Sequence, residues 1–149
     1  MRLIFLLLLM FSSFFSFAHK DTGITLDESG NLKGLPSKYL PATFEAKNLT
    51  LQIANRKLLI PKCISKFLVK SELSFSSSWY HTRSKLPPYF NIIATHPAKN
   101  IEYTFMLNMD TLDLIKAYSF PNKTDIAGIR YSMEPIDLSP NCIKSIKTS

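Results

Sequence analysis

Between Glu72 and Phe120 the chain alternates apolar and polar positions with period two, the pattern of strands that bury one face. In SELSFSSSWYH, Leu73, Phe75, Ser77, Trp79 and His81 fall on one side and Glu72, Ser74, Ser76, Ser78 and Tyr80 on the other. Residues 89 to 96, YFNIIATH, put Phe90, Ile92 and Ala94 against Tyr89, Ile93 and Thr95. This suits a central strand covered on both faces. IEYTFMLNM alternates most cleanly, with Ile101, Tyr103, Phe105, Leu107 and Met109 opposed to Glu102, Thr104, Met106 and Asn108. Asp110 and Thr111 supply a tight turn into LDLIKAYSF, which runs until Pro121 and Asn122. The links at 82–88, 97–100 and 110–111 are too short for a parallel crossover, so these four strands are expected to form an antiparallel meander.

On either side of the meander the signals are shorter. ITLDE, then Ser29-Gly30-Asn31, then LKGLP reads as a hairpin on a fraying edge. SKYLPATFEA, interrupted by Pro36 and Pro41, reads as extended or irregular chain. NLTLQI, ANRK and LLI make a second hairpin, with Leu49, Leu51 and Ile53 on one side. Pro61 opens a short helix over PKCISKFLVK that places Ile64, Phe67 and Leu68 inward and Lys62, Lys66 and Lys70 outward, so that it caps one face of the sheet. After the loop PNKTDIAG, GIRYSME is expected to give a last strand carrying Ile129, Tyr131 and Met133. The expected fold class is α+β or mostly β: a single small antiparallel sheet domain with one short helix.

The first 18 residues change the picture of where this domain works. Arg2, the apolar run LIFLLLLMF and the small-x-small pattern Ser16-Phe17-Ala18 read as an export signal cleaved after Ala18. The alternative is an uncleaved anchor, for which an apolar run of about 16 residues is short against the roughly 20 of a membrane span. His19 stands where a bacterial lipoprotein would carry its lipidated Cys. The expectation is a single exported domain over 19–149, in the periplasm or outside the cell, with no transmembrane span after cleavage. Removing the leader leaves 131 of 149 residues, 17 basic against 11 acidic, a net charge of +6.

Charge is unevenly spread. From Ala46 to Asn100 there are nine basic residues and one acid, Glu72; from Ile101 to Asp137 there are six acids and three bases. A polarised surface of this kind attracts acidic proteins, anionic glycans or lipid headgroups; the plainer reading is a solvated basic surface. The two cysteines, Cys63 and Cys142, are expected to pair in an oxidising compartment. They lack the CxxC spacing of redox dithiols. On the chain-entropy account, a bridge closing roughly 80 residues stabilises by about 4 kcal/mol.

Several chemistries lose ground on spacing. The chain has no G-x-S-x-G, no phosphate-cradling glycine loop and four glycines in all. Its histidines are His19, His81 and His96, and the last two stand at opposite ends of a hairpin, about 23 Å apart at roughly 3.3 Å per residue. They cannot share an ion. Cleavage after Ala18 would leave His19 with a free α-amine, a pair that binds Cu(II) when a second imidazole joins it. This resembles the mature N-terminal His of copper oxygenases and periplasmic copper carriers, over one residue and one leader junction. It implies a copper-binding protein or oxidoreductase as the alternative to a chain without cofactor. Asn48-Leu-Thr50 and Asn122-Lys-Thr124 fit the glycosylation sequon, at a frequency that chance accounts for.

The remaining candidate is the hairpin tip WYHTRSKLPPYF, which gathers Trp79, Tyr80, His81, Arg83, Lys85 and Tyr89 beside Pro87 and Pro88. Trp, Tyr and Arg dominate binding hot spots, and prolines reduce the entropy lost when a loop is ordered. The structural alternative is that Trp79 and Phe90 are core and the charges merely solvate a turn. The expected function is a non-catalytic exported protein that binds an anionic macromolecule, an inhibitor or immunity-type protein of a cell-envelope enzyme being one form. Export argues against nucleic acid as the partner.

Overall fold

A computed structural model of the chain describes residues 22–79, 86–121 and 133–142. Among the described residues, ten strands are arranged as two antiparallel sheets. The strands in chain order are β1 (Thr22–Leu26), β2 (Leu32–Lys33), β3 (Ala42–Glu45), β4 (Thr50–Ile53), β5 (Arg56–Leu59), β6 (Glu72–Ser78), β7 (Tyr89–His96), β8 (Ile101–Asn108), β9 (Leu114–Pro121) and β10 (Glu134–Pro135). Between β5 and β6 lies the helix α1 (Lys62–Leu68), and 3-10 turns occupy Ser37–Tyr39 and Pro97–Lys99. The larger sheet has seven strands in the order β10-β9-β8-β7-β6-β1-β2, and the smaller has three in the order β3-β4-β5.

The expected meander is β6 to β9, with every neighbouring pair antiparallel. Its register brings Ile24, Phe75, Ile92, Phe105 and Ala117 into one row across five strands. The second layer packs on that row. The Phe44 ring of β3 lies 5.1 Å from Phe75, and the Phe67 ring of α1 lies 4.9 Å from Tyr103 and 5.7 Å from Phe105. Leu51, Ile53, Leu58, Ile64 and Leu68 complete a common core from the small sheet and the helix. Each large side chain buried this way contributes about 1.5–3 kcal/mol, so the two layers hold each other in place through this row. The helix follows the expected lysine-out, apolar-in pattern, with Ile64 and Leu68 buried and Phe67 half-buried.

The bridge between Cys63 and Cys142 is present, with Cα atoms 5.9 Å apart and a sequence separation of 79. It ties the end of the described chain to the first turn of α1. Ile136 and Leu138 pack against the core on the way. Among the described residues no helix is long and apolar enough to cross a membrane.

Four expectations are corrected. The segment after Pro41 is not irregular: Ala42–Glu45 is strand β3, paired residue for residue with β4, because Ala42 and Phe44 bury one face of a strand too short to show a period. The N-terminal hairpin stands at an edge of the large sheet as expected, with β2 outermost, but it is pinned there and not frayed. β1 lies between β6 and β2, and the turn is locked by Asp27, whose carboxylate accepts from the backbone N–H groups of Ser29 and Asn31. Strand β9 starts at Leu114 rather than Leu112. Leu112 sits at φ 59° with its side chain buried, and Asn108 closes the turn by accepting from Leu112 N–H through its backbone oxygen and from Asp110 N–H through its side chain. Of the expected last strand, Ile129 and Tyr131 lie outside the described residues; Met133 is outside any described strand and 66% exposed, and among the described residues the last strand is the two-residue β10, which starts at Glu134.

Candidate functional site

The hairpin tip between β6 and β7 is described only at its two ends. Ser78 pairs with Tyr89, which fixes the parity of both strands. Trp79 therefore follows the core-facing series Phe75 and Ser77, and its half-buried ring packs against the core. Tyr89 falls on the other face, with Asn91 and Ile93, and is also half-buried. The two described aromatic members of the candidate thus belong to opposite faces of the sheet. Pro88 is buried, and its carbonyl accepts from Met109 N–H at 2.9 Å. This makes the return of the hairpin part of the scaffold. Tyr80, His81, Arg83 and Lys85 lie outside the described residues, as does His19.

His96 is half-buried at the far end of β7 from the hairpin tip, as the strand length required, and its Nδ1 is buried without a hydrogen-bond partner. Among the described residues no three of His, Cys, Asp and Glu come together as metal ligands.

Most of the basic residues lie within the described part of the chain. Seven of the nine between Ala46 and Asn100 are described, namely Lys47, Arg56, Lys57, Lys62, Lys66, Lys70 and Lys99, and all seven are exposed. None has an ion-pair partner among the described residues, where the pair recorded is Lys33 with Asp27 at 3.3 Å. Lys66 also lies over the Phe67 ring, 4.9 Å from its centroid. The local reasons are plain. The period of α1 turns Lys62 and Lys66 outward once Ile64 and Leu68 are inside, and alternation along β5 turns Lys57 and Leu59 outward once Leu58 is inside.

Carboxylates are occupied or apart. Hydrogen bonds from Asn31, first its backbone and then its side chain, hold the Asp27 carboxyl down at about 2. Burial raises the Glu102 carboxyl above the usual range on the face of the large sheet away from the core. The Tyr39 hydroxyl donates to Asp110 at 3.1 Å, which anchors the first 3-10 turn to the β8–β9 turn; burial raises the Tyr39 pKa.

Two hollows were not visible in the sequence. One, open and about 560 Å³, is lined by Met106, Lys116, Ala117, Tyr118, Met133 and Pro135 at the β9–β10 end of the large sheet. The other, about 470 Å³, lies between the β1–β2 turn and the β3–β4 turn, around Asp27, Glu45 and Lys47. Each needs strands distant in sequence to be paired before it exists. Near the first, Asn91 is 9% exposed and donates through Nδ2 to Ser76 Oγ at 2.9 Å, while its Oδ1 has no partner. No protein-family model, curated protein or solved structure matches this chain.

Proposed function

We propose that the chain is a non-catalytic exported binding protein that engages an anionic macromolecule in the periplasm or outside the cell. The observation that carries this reading is the set of exposed cations from Lys47 to Lys99 that have no carboxylate partner among the described residues, on a scaffold closed by a disulfide. Cations left unpaired at a surface keep their long-range field, which speeds encounter with a polyanion and makes association salt-dependent. Arg83 and Lys85 of the 79–89 hairpin are assigned to the same contact as further cations.

The test is a pull-down from cell-envelope extract at low and high salt, with the wild type beside Arg83→Glu with Lys85→Glu. The reading expects a partner retained at low salt, released at high salt and reduced by the charge reversal. Recovery of no salt-sensitive partner would leave it without support.

A further inference from the structure

The two layers give the unpaired cations a common direction. Phe44 of the small sheet and Phe67 of α1 pack against Phe75 and Phe105, which belong to a single cross-strand row, with Ile92 between them, on one face of the large sheet. The outward sides of β5 and α1 therefore both point away from that sheet. On β5 this side carries Lys57 and Leu59, which pair across to Gln52 and Thr50. On α1 it carries Lys62 and Lys66, and just past the end of the helix Val69, with extended backbone, and Lys70, at φ 62°, are exposed as well. Only Ile60 and Pro61 separate the two elements. Five steps of extended chain from Lys57 to Lys62, six helical steps and two further residues span at most about 33 Å, about the breadth of one standard contact face.

Two of these exposed side chains are large and aliphatic: Leu59 is 60% exposed and Val69 is 55% exposed. The nearest carboxylate in the strand pairing is Glu45, held by the Asn48 side chain at 2.8 Å. Glu72 alternates onto the opposite face of the large sheet.

We propose that this outer side of β5 and α1 docks on an anionic lipid bilayer, with Lys57, Lys62, Lys66 and Lys70 among the headgroups and Leu59 and Val69 entering the boundary below them. The inference rests on the polyanion-binding reading and gives that reading its partner. The composition selects a bilayer over a protein. Lysine is depleted at the centre of protein interfaces, where Trp, Tyr and Arg act as anchors, and this patch offers lysines and aliphatic groups. A bilayer surface accepts lysines without fixed geometry, at about a fivefold gain in partitioning for each, and takes up aliphatic side chains at the headgroup–acyl boundary.

The experiment is co-sedimentation of the chain, recovered after export with its disulfide intact, with vesicles of phosphatidylcholine alone or mixed with phosphatidylglycerol. Binding is expected to the mixed vesicles and not to phosphatidylcholine alone. Lys62→Ala with Lys66→Ala and Lys70→Ala should weaken it about 100-fold, and Leu59→Ser with Val69→Ser about tenfold. All five positions are exposed, so far-UV circular dichroism should be unchanged in both variants. Equal sedimentation of the triple-lysine variant and the wild type, or no binding to the mixed vesicles, overturns the bilayer assignment. In that event salt-sensitive binding to polyglutamate or heparin would preserve the polyanion reading, and binding to neither would remove both.

Discussion

Reducing the Cys63–Cys142 bridge should cost this chain a large part of its stability. The bridge closes 79 residues, and the loss of loop-closure entropy in the unfolded chain works out to about 4.5 kcal/mol. The native state gives no reason for a smaller effect. Cys142 is 4% exposed, and the segment leading to it is tied to the sheet by the two residues of β10 and by Ile136 and Leu138 against the core. With a urea dependence of about 1.5–2 kcal/mol per molar, the unfolding midpoint should fall by about 2–3 M. Trp79 is the single tryptophan and is half-buried against the core, so its fluorescence reports the transition. The assay is urea unfolding with and without a non-thiol reductant. A midpoint shift under about 0.5 M would refute the reasoning, because it would mean that the chain is as confined without the bridge as with it.

Phe105→Ala, at a fully buried site between Ile92 and Ala117, should destabilise by about 3–5 kcal/mol, whereas Lys57→Ala should stay within about 0.5 kcal/mol; urea midpoints compare the two. Hydrogen bonds from Asn31 hold the Asp27 carboxyl down at about 2 in the folded chain, below its ordinary value of 3.8, so whatever it contributes is present above pH 4 and is lost as pH falls towards 2; a carbon-detected NMR titration of its carboxyl should show that low midpoint, and a midpoint near 4 would contradict the Asn31 contacts. Trp79→Ala should cost about 2–3 kcal/mol, less than a fully buried ring, when followed by circular dichroism; an unchanged midpoint would show that the ring is held for binding and not for packing.

The meander was legible because β6 to β8 each keep a wet or mixed face that reveals the period, and short links dictate antiparallel order. Strand β3 was not, because Pro41 precedes it and four residues hold two apolar positions, so its identity depends on β4 eight positions away. Leu112 misled for a different reason: its apolar side chain fits the strand alternation, yet it is buried from a left-handed turn position. In the candidate site, the exposure of Lys62 and Lys66 follows from helix period alone. That Lys57 shares their side does not, since it depends on two aromatic contacts to one row of the large sheet. The separation of Trp79 from Tyr89 likewise depends on the Ser78–Tyr89 register, which residue spacing within a loop does not fix.

The central claim, that the unpaired cations of the second layer meet an anionic partner, is tested most directly by amine-reactive footprinting. The chain is added to cell-envelope extract at low and at high salt, labelled briefly and mapped by mass spectrometry, so that each lysine serves as its own probe. The account predicts that Lys57, Lys62, Lys66 and Lys70 lose reactivity at low salt and regain it at high salt, while Lys33, paired with Asp27, and Lys116, on the opposite face of the large sheet, do not change. Labelling that is uniform across all six lysines at both salt concentrations would contradict it.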